Sequence, residues 1–91
     1  MKNLFDIKGK VIVITGGCGI LGKNIANYLA EQGAKIVVLD RAAEIGKELE
    51  AELNQKSEAL FLVTDVLNKE VLEENKKAIL ERFGTIDVLL N

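Results

Sequence analysis

The 91-residue chain contains no histidine, no proline, no tryptophan and a single cysteine, Cys18. Without histidine and with one thiol, no set of side chains at zinc-ligand spacing can be assembled, which excludes a structural or catalytic zinc site. One cysteine cannot close an internal disulfide, and the N-terminus lacks the basic stretch and apolar core of a secretory signal, so cytoplasmic residence is the expectation. Aromatic residues are scarce, one tyrosine and three phenylalanines, and the net charge of −2 is spread in mixed sign. That removes both the basic footprint and the stacking platform on which nucleic-acid binding rests. The longest apolar run, residues 11–14, is far short of the roughly 20 residues that cross a bilayer. No membrane span is expected.

Glycine is not scarce, at eight residues, and with 48% hydrophobic and 29% charged side chains the chain has the make-up of a folded globular protein. At this length it amounts to one small domain over residues 1–91, able to bury a little over about 60% of its unfolded surface and therefore marginally stable.

Residues 10–15 (KVIVIT), 34–40 (AKIVVLD) and 59–64 (ALFLVT) are continuous β-branched and aliphatic runs, the pattern of strands covered on both faces. Between them, Leu21, Ile25 and Leu29, with Ala26 and Ala30 beside them, mark a helix from about Ile20 that Gly33 stops. Ile45, Leu49 and Leu53 mark a second helix over 43–54, whose other face, Glu44, Lys47, Glu48, Glu50 and Glu52, reads as solvated. Asn68 is placed to cap a third helix running to about Phe83, with Val71, Leu72, Ala78, Ile79 and Phe83 inward and Glu73 and Lys77 spaced as an ion pair outside. Gly84 ends it and residues 86–90 (IDVLL) begin a fourth strand. No linker, repeat or low-complexity segment interrupts the βαβαβαβ order. Such alternation, with right-handed crossovers, predicts a parallel sheet in the order 3-2-1-4 with helices on both faces.

The glycines at 17, 19 and 22 fit G-x-G-x-x-G between the first strand and the first helix. In a dinucleotide site these positions serve a tight turn, close approach of backbone to a pyrophosphate, and close helix-to-strand packing, with the phosphate at the helix N-terminus. A glycine turn that merely lets helix and strand pack is the alternative. Asp40 ends the second strand about 20 residues on, where a carboxylate accepts hydrogen bonds from the adenosine ribose of NAD and repels the 2′-phosphate of NADP. Arg41 beside it is a residue type that can instead bind that phosphate. The two features together point to a Rossmann-type doubly wound α/β sheet of four strands and three helices, partial in extent, with NAD as the cofactor ahead of NADP.

Over essentially its whole length the chain resembles the N-terminal half of a short-chain dehydrogenase/reductase. The resemblance rests on Gly9-Lys10 before strand one, Thr15-Gly16 opening the loop, Asp40, Asp65-Val66 after strand three, and Phe83-Gly84 and Ile86-Asp87 leading into strand four. It implies that Asp65 and Val66 border the adenine ring and that Asn91 is the first residue of the family's Asn-Asn-Ala-Gly segment. One departure stands out: the family's loop is T-G-x-x-x-G-x-G, and its middle glycine falls on Ile20, with Gly19 one place earlier. The T-G-G-x-G-x-L-G form resembles the sugar-acid branch, such as D-mannonate (fructuronate) oxidoreductases, as does the opening LFDIKGKVIVITGG. The candidate cofactor-binding set is thus Thr15, Gly16, Gly17, Gly19, Ile20, Leu21 and Gly22 in the turn, Asp40 and Arg41 after strand two, and Asp65, Val66 and Asn91. Cys18 in this loop reads as a small residue, with a thiol activated by the helix N-terminus as the alternative.

The family's chemistry implies a serine, a tyrosine and a lysine four residues after the tyrosine, passing hydride between cofactor and a carbonyl or alcohol carbon. Here Tyr28 lies in the first helix with Gln32 four residues on, and the only serine is Ser57. Neither can be catalytic. The expectation is the cofactor-binding portion of an NAD-dependent oxidoreductase, cut before its catalytic half and inactive alone, that self-associates as a dimer through the strand-four edge or an uncovered sheet face. Two other readings are a non-catalytic nucleotide-binding module complete at 91 residues, and an S-adenosylmethionine-dependent methyltransferase fragment. The methyltransferase calls for an acidic residue before the glycines, where Ile14-Thr15 stands.

Overall fold

The computed structural model describes residues 6–91, and within them strands and helices alternate without exception. Strands β1 (Val11–Thr15), β2 (Lys35–Asp40), β3 (Ala59–Val63) and β4 (Val88–Leu90) form one parallel sheet in the order β3-β2-β1-β4. Helices α1 (Ile20–Glu31), α2 (Ala43–Asn54) and α3 (Lys69–Phe83) connect them. This is the order read from the sequence. In the register, Val13 faces Val37 on one side and Leu89 on the other, and Val38 faces Phe61.

Strand ends are trimmed relative to the apolar runs. Lys10, Ala34 and Thr64 fall outside the strands, and β4 starts at Val88 rather than Ile86. Asp87 instead clamps the start of β1: its N–H donates to Val11 O at 2.9 Å and its Oδ2 accepts from the Val11 N–H at 2.8 Å.

Successive strand side chains point to opposite faces, which divides the core in two. Ile12, Ile14, Ile36, Val38 and Phe61 pack with Ala26 and Ala30 of α1 and with Leu49 and Leu53 of α2. Val11, Val13, Val37 and Leu39 meet Ile79 of α3 on the other face, with Phe83 at the margin. Each large aliphatic side chain buried this way stabilises the fold by about 1.5–3 kcal/mol. The α3 face is the thinner one: beneath α3 remains an apolar hollow of about 530 Å³ lined in part by Val13, Leu39, Leu72 and Leu89. No described helix is long and apolar enough to cross a membrane.

Four helix-face expectations are corrected. Ile45 is 42% exposed, and the buried residue of that turn is Gly46, where a Cβ would stand 2.1 Å from the Phe61 ring. The ring takes the space under the helix, so the helix is rotated to present hydrogen there. Leu21 is 73% exposed, because at about 100° per residue it lies about 140° round the helix from buried Ala26, off the face that meets the sheet. Glu50 is drawn off the solvated face: its Oε2 accepts from the Phe61 N–H. Glu73 and Lys77 do not pair; the ion pairs among the described residues are Lys35–Glu58, Lys47–Glu50 and Lys56–Glu31.

The Glu50 contact belongs to a pattern. Asn54 accepts from the Ala59 N–H at 2.9 Å and donates to Ala59 O at 3.1 Å, so α2 side chains occupy the outer backbone groups of β3 at two successive outward positions. At the other border, β4 pairs only with β1, and Val88 and Leu89 are partly exposed.

Candidate functional site

The connection after β1 leads to β2 on one side, whereas the connection from β3 crosses to the far side of β1 to enter β4. At the carboxyl ends of the strands this reversal opens a crevice, the position at which open α/β sheets take ligands. The glycine turn lies in it.

Gly16 has φ +70°, a left-handed conformation that glycine adopts without strain, and its N–H is held by Leu39 O at 2.8 Å. A Cβ on Gly17 would lie 2.8 Å from Val38 Cγ1, and one on Gly22 would lie 2.7 Å from Gly17 Cα and 2.8 Å from Gly16 O. These two allow the turn to press onto β2 and α1 to press onto the turn. Gly19 differs: it caps α1 with φ −72° and ψ 166°, ordinary values, and a Cβ there would meet nothing nearer than Gly16 O at 3.8 Å.

The start of α1 is left bare. No side chain caps it and no acidic residue sits in its first turn, whereas α3 has Asn68 accepting from the N–H groups of Glu70 and Val71, with Glu70 in the turn. An uncapped N-terminus with outward N–H groups and the positive end of the helix dipole is chemistry for an anion.

Asp40 closes β2 beside this turn. Its Oδ2 accepts from the Cys18 N–H and its Oδ1 from the Ala42 N–H, each at 3.0 Å. Burial opposes ionisation, but the N–H groups of Ala42, Cys18 and Arg41 outweigh it and hold the carboxyl below the ordinary carboxylate value. The group is a fixed anion with lone pairs left for hydroxyl donors, and it also ties the glycine turn to β2. Sequence spacing located Asp40 but not its partner, the backbone of Cys18.

Two adjoining hollows share Thr15 and Gly16. One, of about 300 Å³, is lined by Leu39, Asp40, Arg41, Thr64 and Val66. The other, of about 380 Å³, is lined by Gly19, Ile20, Leu21, Gly22, Leu90 and Asn91. Thr15 Oγ1 lies 3.3 Å from Leu90 O and 3.2 Å from Asn91 Oδ1, which joins the ends of β1 and β4. Ile20 is 84% exposed, so the side chain in the family's glycine position leaves the turn itself clear. Asp65 stands apart: its Oδ1 accepts from the Leu67 N–H and its carbonyl from the Asn68 N–H, a local turn, and Val66 rather than Asp65 reaches the hollow beside Asp40.

Cys18 is buried, and desolvation, reinforced by the Asp40 charge, pushes its thiol above the ordinary value. It is not an activated nucleophile. Tyr28 is exposed toward the end of α1, and Ser57 follows α2; neither borders the two hollows. Two residues escaped the sequence reading: Thr64, which lines the hollow beside Asp40, and Asn75, which bonds to Thr64 from α3. The one available signal was an amide side chain set into the apolar stripe of α3, between Leu72 and Ile79.

The crevice therefore pairs an anion-binding helix terminus with a fixed carboxylate about one hollow away, a donor set that fits a nucleotide carrying both phosphate and vicinal hydroxyls. A family model described as short chain dehydrogenase matches residues 10–91. The chain is 39% identical over 87 residues to UxuB, an uncharacterised oxidoreductase of Bacillus subtilis, covering 94% of this chain and 31% of that protein. Its fold superposes on NAD+-bound xylitol dehydrogenase with a TM-score of 0.87 at 36% identity, over 91% of this chain and 32% of the other. A Haemophilus influenza protein provisionally named a D-mannonate oxidoreductase, with bound NAD, superposes with a TM-score of 0.87 at 35% identity, over 92% of this chain and 30% of the other. The chain thus spans about a third of the length of these relatives. The matches favour the short-chain dehydrogenase reading over the methyltransferase.

Proposed function

Because the chain belongs to the short-chain dehydrogenase family, we propose that it holds the adenosine half of NAD, as the cofactor-binding portion of an oxidoreductase acting on an alcohol or carbonyl substrate. The observation that carries this reading is Asp40, anchored by two N–H groups and facing the hollow next to the bare start of α1. The pyrophosphate would lie on the first-turn N–H groups of α1 above Gly17, Gly19 and Gly22. Its adenosine ribose would donate its hydroxyls to Asp40, and the adenine would rest on Val66 with Arg41 at the rim. Asn91, joined to Thr15, would border the path toward the nicotinamide. When bound, NAD supplies the hydride acceptor. The residues of this chain bind and orient; no tyrosine-lysine pair at the family's spacing is among them, so the 91 residues alone are expected to give no turnover.

The fixed negative charge of Asp40 favours a free 2′-hydroxyl over a 2′-phosphate, and hence NAD over NADP. Titration calorimetry with NAD, NADP and ADP-ribose checks the reading: NAD and ADP-ribose bind, NADP binds at least tenfold more weakly, and Asp40→Ala removes most of the difference. Equal affinity for NAD and NADP refutes the assignment of Asp40. A sugar acid of the mannonate type is the proposed substrate class, supported by the T-G-G-x-G-x-L-G loop and by the Haemophilus neighbour. Oxidation of D-mannonate by a protein joining this portion to a catalytic half, and not by the same protein with Asp40 replaced, is the expected result. The partly exposed β4 border supports pairing with a second copy, which sedimentation equilibrium measures directly.

A further inference from the structure

Among the described residues the buried polar side chains are Thr64, 1% exposed, and Asn75, 8% exposed, and they bond to each other. Asn75 Nδ2 donates to Thr64 Oγ1 at 2.7 Å, and Thr64 Oγ1 donates in turn to Leu62 O at 2.9 Å. The Thr64 N–H donates to Asp40 O at 2.8 Å. A hydroxyl has one proton; with that proton on Leu62 O, the lone pair must be met by a donor, and the Asn75 amide is that donor. Both bonds together fix the Thr64 rotamer.

An amide in the apolar stripe of a helix is costly to bury unless it is paired, and a leucine at position 75 would serve the core better. Its partner is not a core residue for its own sake. Thr64 lines the hollow beside Asp40, is the first residue after β3, and leads directly into Asp65 and Val66. From Asp65 onward the loop is held by its own turn and by the Asn68 cap, so Thr64 is the point at which it is tied to the sheet.

We propose that Asn75 is a positioning residue for adenosine binding: from within α3 it holds Thr64, and through Thr64 it sets where Val66 stands relative to Asp40. This rests on the cofactor reading above. Asn75 borders the larger hollow beneath α3, as Val66 does, and not the hollow at Asp40; its hydrogen bond into the lining of the latter runs through the threonine.

The test is titration of the full chain with ADP-ribose and, separately, with inorganic pyrophosphate, which needs only the start of α1. Asn75→Leu preserves the apolar stripe and is expected to weaken ADP-ribose about fivefold, the effect of one lost hydrogen bond, while pyrophosphate affinity is unchanged. Thr64→Val is expected to match it, Thr64→Ser to retain wild-type affinity, and the double variant Thr64→Val/Asn75→Leu to be no weaker than either single one. Should Asn75→Leu fold poorly, the contrast between Thr64→Val and Thr64→Ser carries the same information. ADP-ribose and pyrophosphate weakening in parallel, or Asn75→Leu and Thr64→Val both binding ADP-ribose like wild type, overturns the positioning role. Wild type failing to bind ADP-ribose, or Asp40→Ala leaving its affinity unchanged, overturns the cofactor reading and this proposal with it.

Discussion

Replacing Gly22 by alanine separates a glycine that the fold requires from one that it does not. In a helix, glycine to alanine ordinarily gains about 0.5–1 kcal/mol. At Gly22 the new Cβ would stand 2.7 Å from Gly17 Cα, 2.8 Å from Gly16 O and 2.9 Å from Gly17 C. All three are backbone atoms, so relief requires the first turn of α1 to lift from the glycine loop by several tenths of an ångström. Such overpacking costs about 1–3 kcal/mol, and against three backbone atoms that cannot rotate away the upper half of that range applies, which leaves a net loss of about 1–2 kcal/mol. In a domain of this size each kcal/mol moves Tm by roughly 4–8 °C, so a fall of about 5–15 °C is expected by circular dichroism, with weaker ADP-ribose binding as the N–H groups shift. Gly19→Ala is the control. Its backbone is ordinary and its Cβ would make only a van der Waals contact, 3.8 Å from Gly16 O; the loss of unfolded-chain entropy contributes about 0.4–1 kcal/mol, offset by alanine's inferiority at a cap position. Its Tm should stay within about 3 °C of wild type. If Gly22→Ala melts with wild type, or Gly19→Ala falls as far, close backbone approach is not what these glycines provide.

Gly46→Ala places a Cβ 2.1 Å from a buried Phe61 ring and should destabilise by about 1–3 kcal/mol in urea unfolding despite the helix propensity it gains. Asn54→Ala removes both bonds to Ala59 and should cost about 1–2 kcal/mol in the same assay, a loss that Asn54→Gln does not fully restore. For Asp40 the folded carboxyl lies below its ordinary value of 3.8. Its contribution to stability is therefore complete above that value and is lost as pH falls through the lower folded value; between pH 5 and 2, wild type should lose stability more steeply than Asp40→Asn, and equal slopes would contradict the assignment.

Strand order, helix spans and the glycine-carboxylate pair were legible because each rests on a local signal: a β-branched run, a four-residue period, a fixed spacing. What was not legible depends on partners distant in sequence. Ile45 and Gly46 exchange places because of Phe61, fifteen residues further on. Leu21 continues the four-residue spacing of Ile25 and Leu29, but four residues overshoot a turn of about 3.6, so that stripe drifts off the face that Ala26 and Ala30 bury. Glu50 reads as solvent-facing until the outer border of β3 draws it in. Asn75 looks like a blemish in an apolar stripe, and only the placement of Thr64 gives it a partner. Within the candidate site, Asp65 was named for its position in the chain; what the sequence did not show is that one of its carboxylate oxygens accepts from the Leu67 N–H of its own turn.

The contacts that Asn54 and Glu50 make with β3 also govern how large any assembly of this sheet can become. A sheet open at both borders can add copies without end, in the manner of a fibril. Here one border has its backbone occupied at Ala59 and Phe61 by side chains of the neighbouring helix, so growth is favoured at β4. Two copies meeting there about a twofold axis would use up that border in both molecules and present to the solvent the borders that α2 partly occupies. Association of this kind favours a closed pair, and a variant that frees β3, such as Asn54→Ala with Glu50→Ala, is the form in which open-ended polymers should first appear.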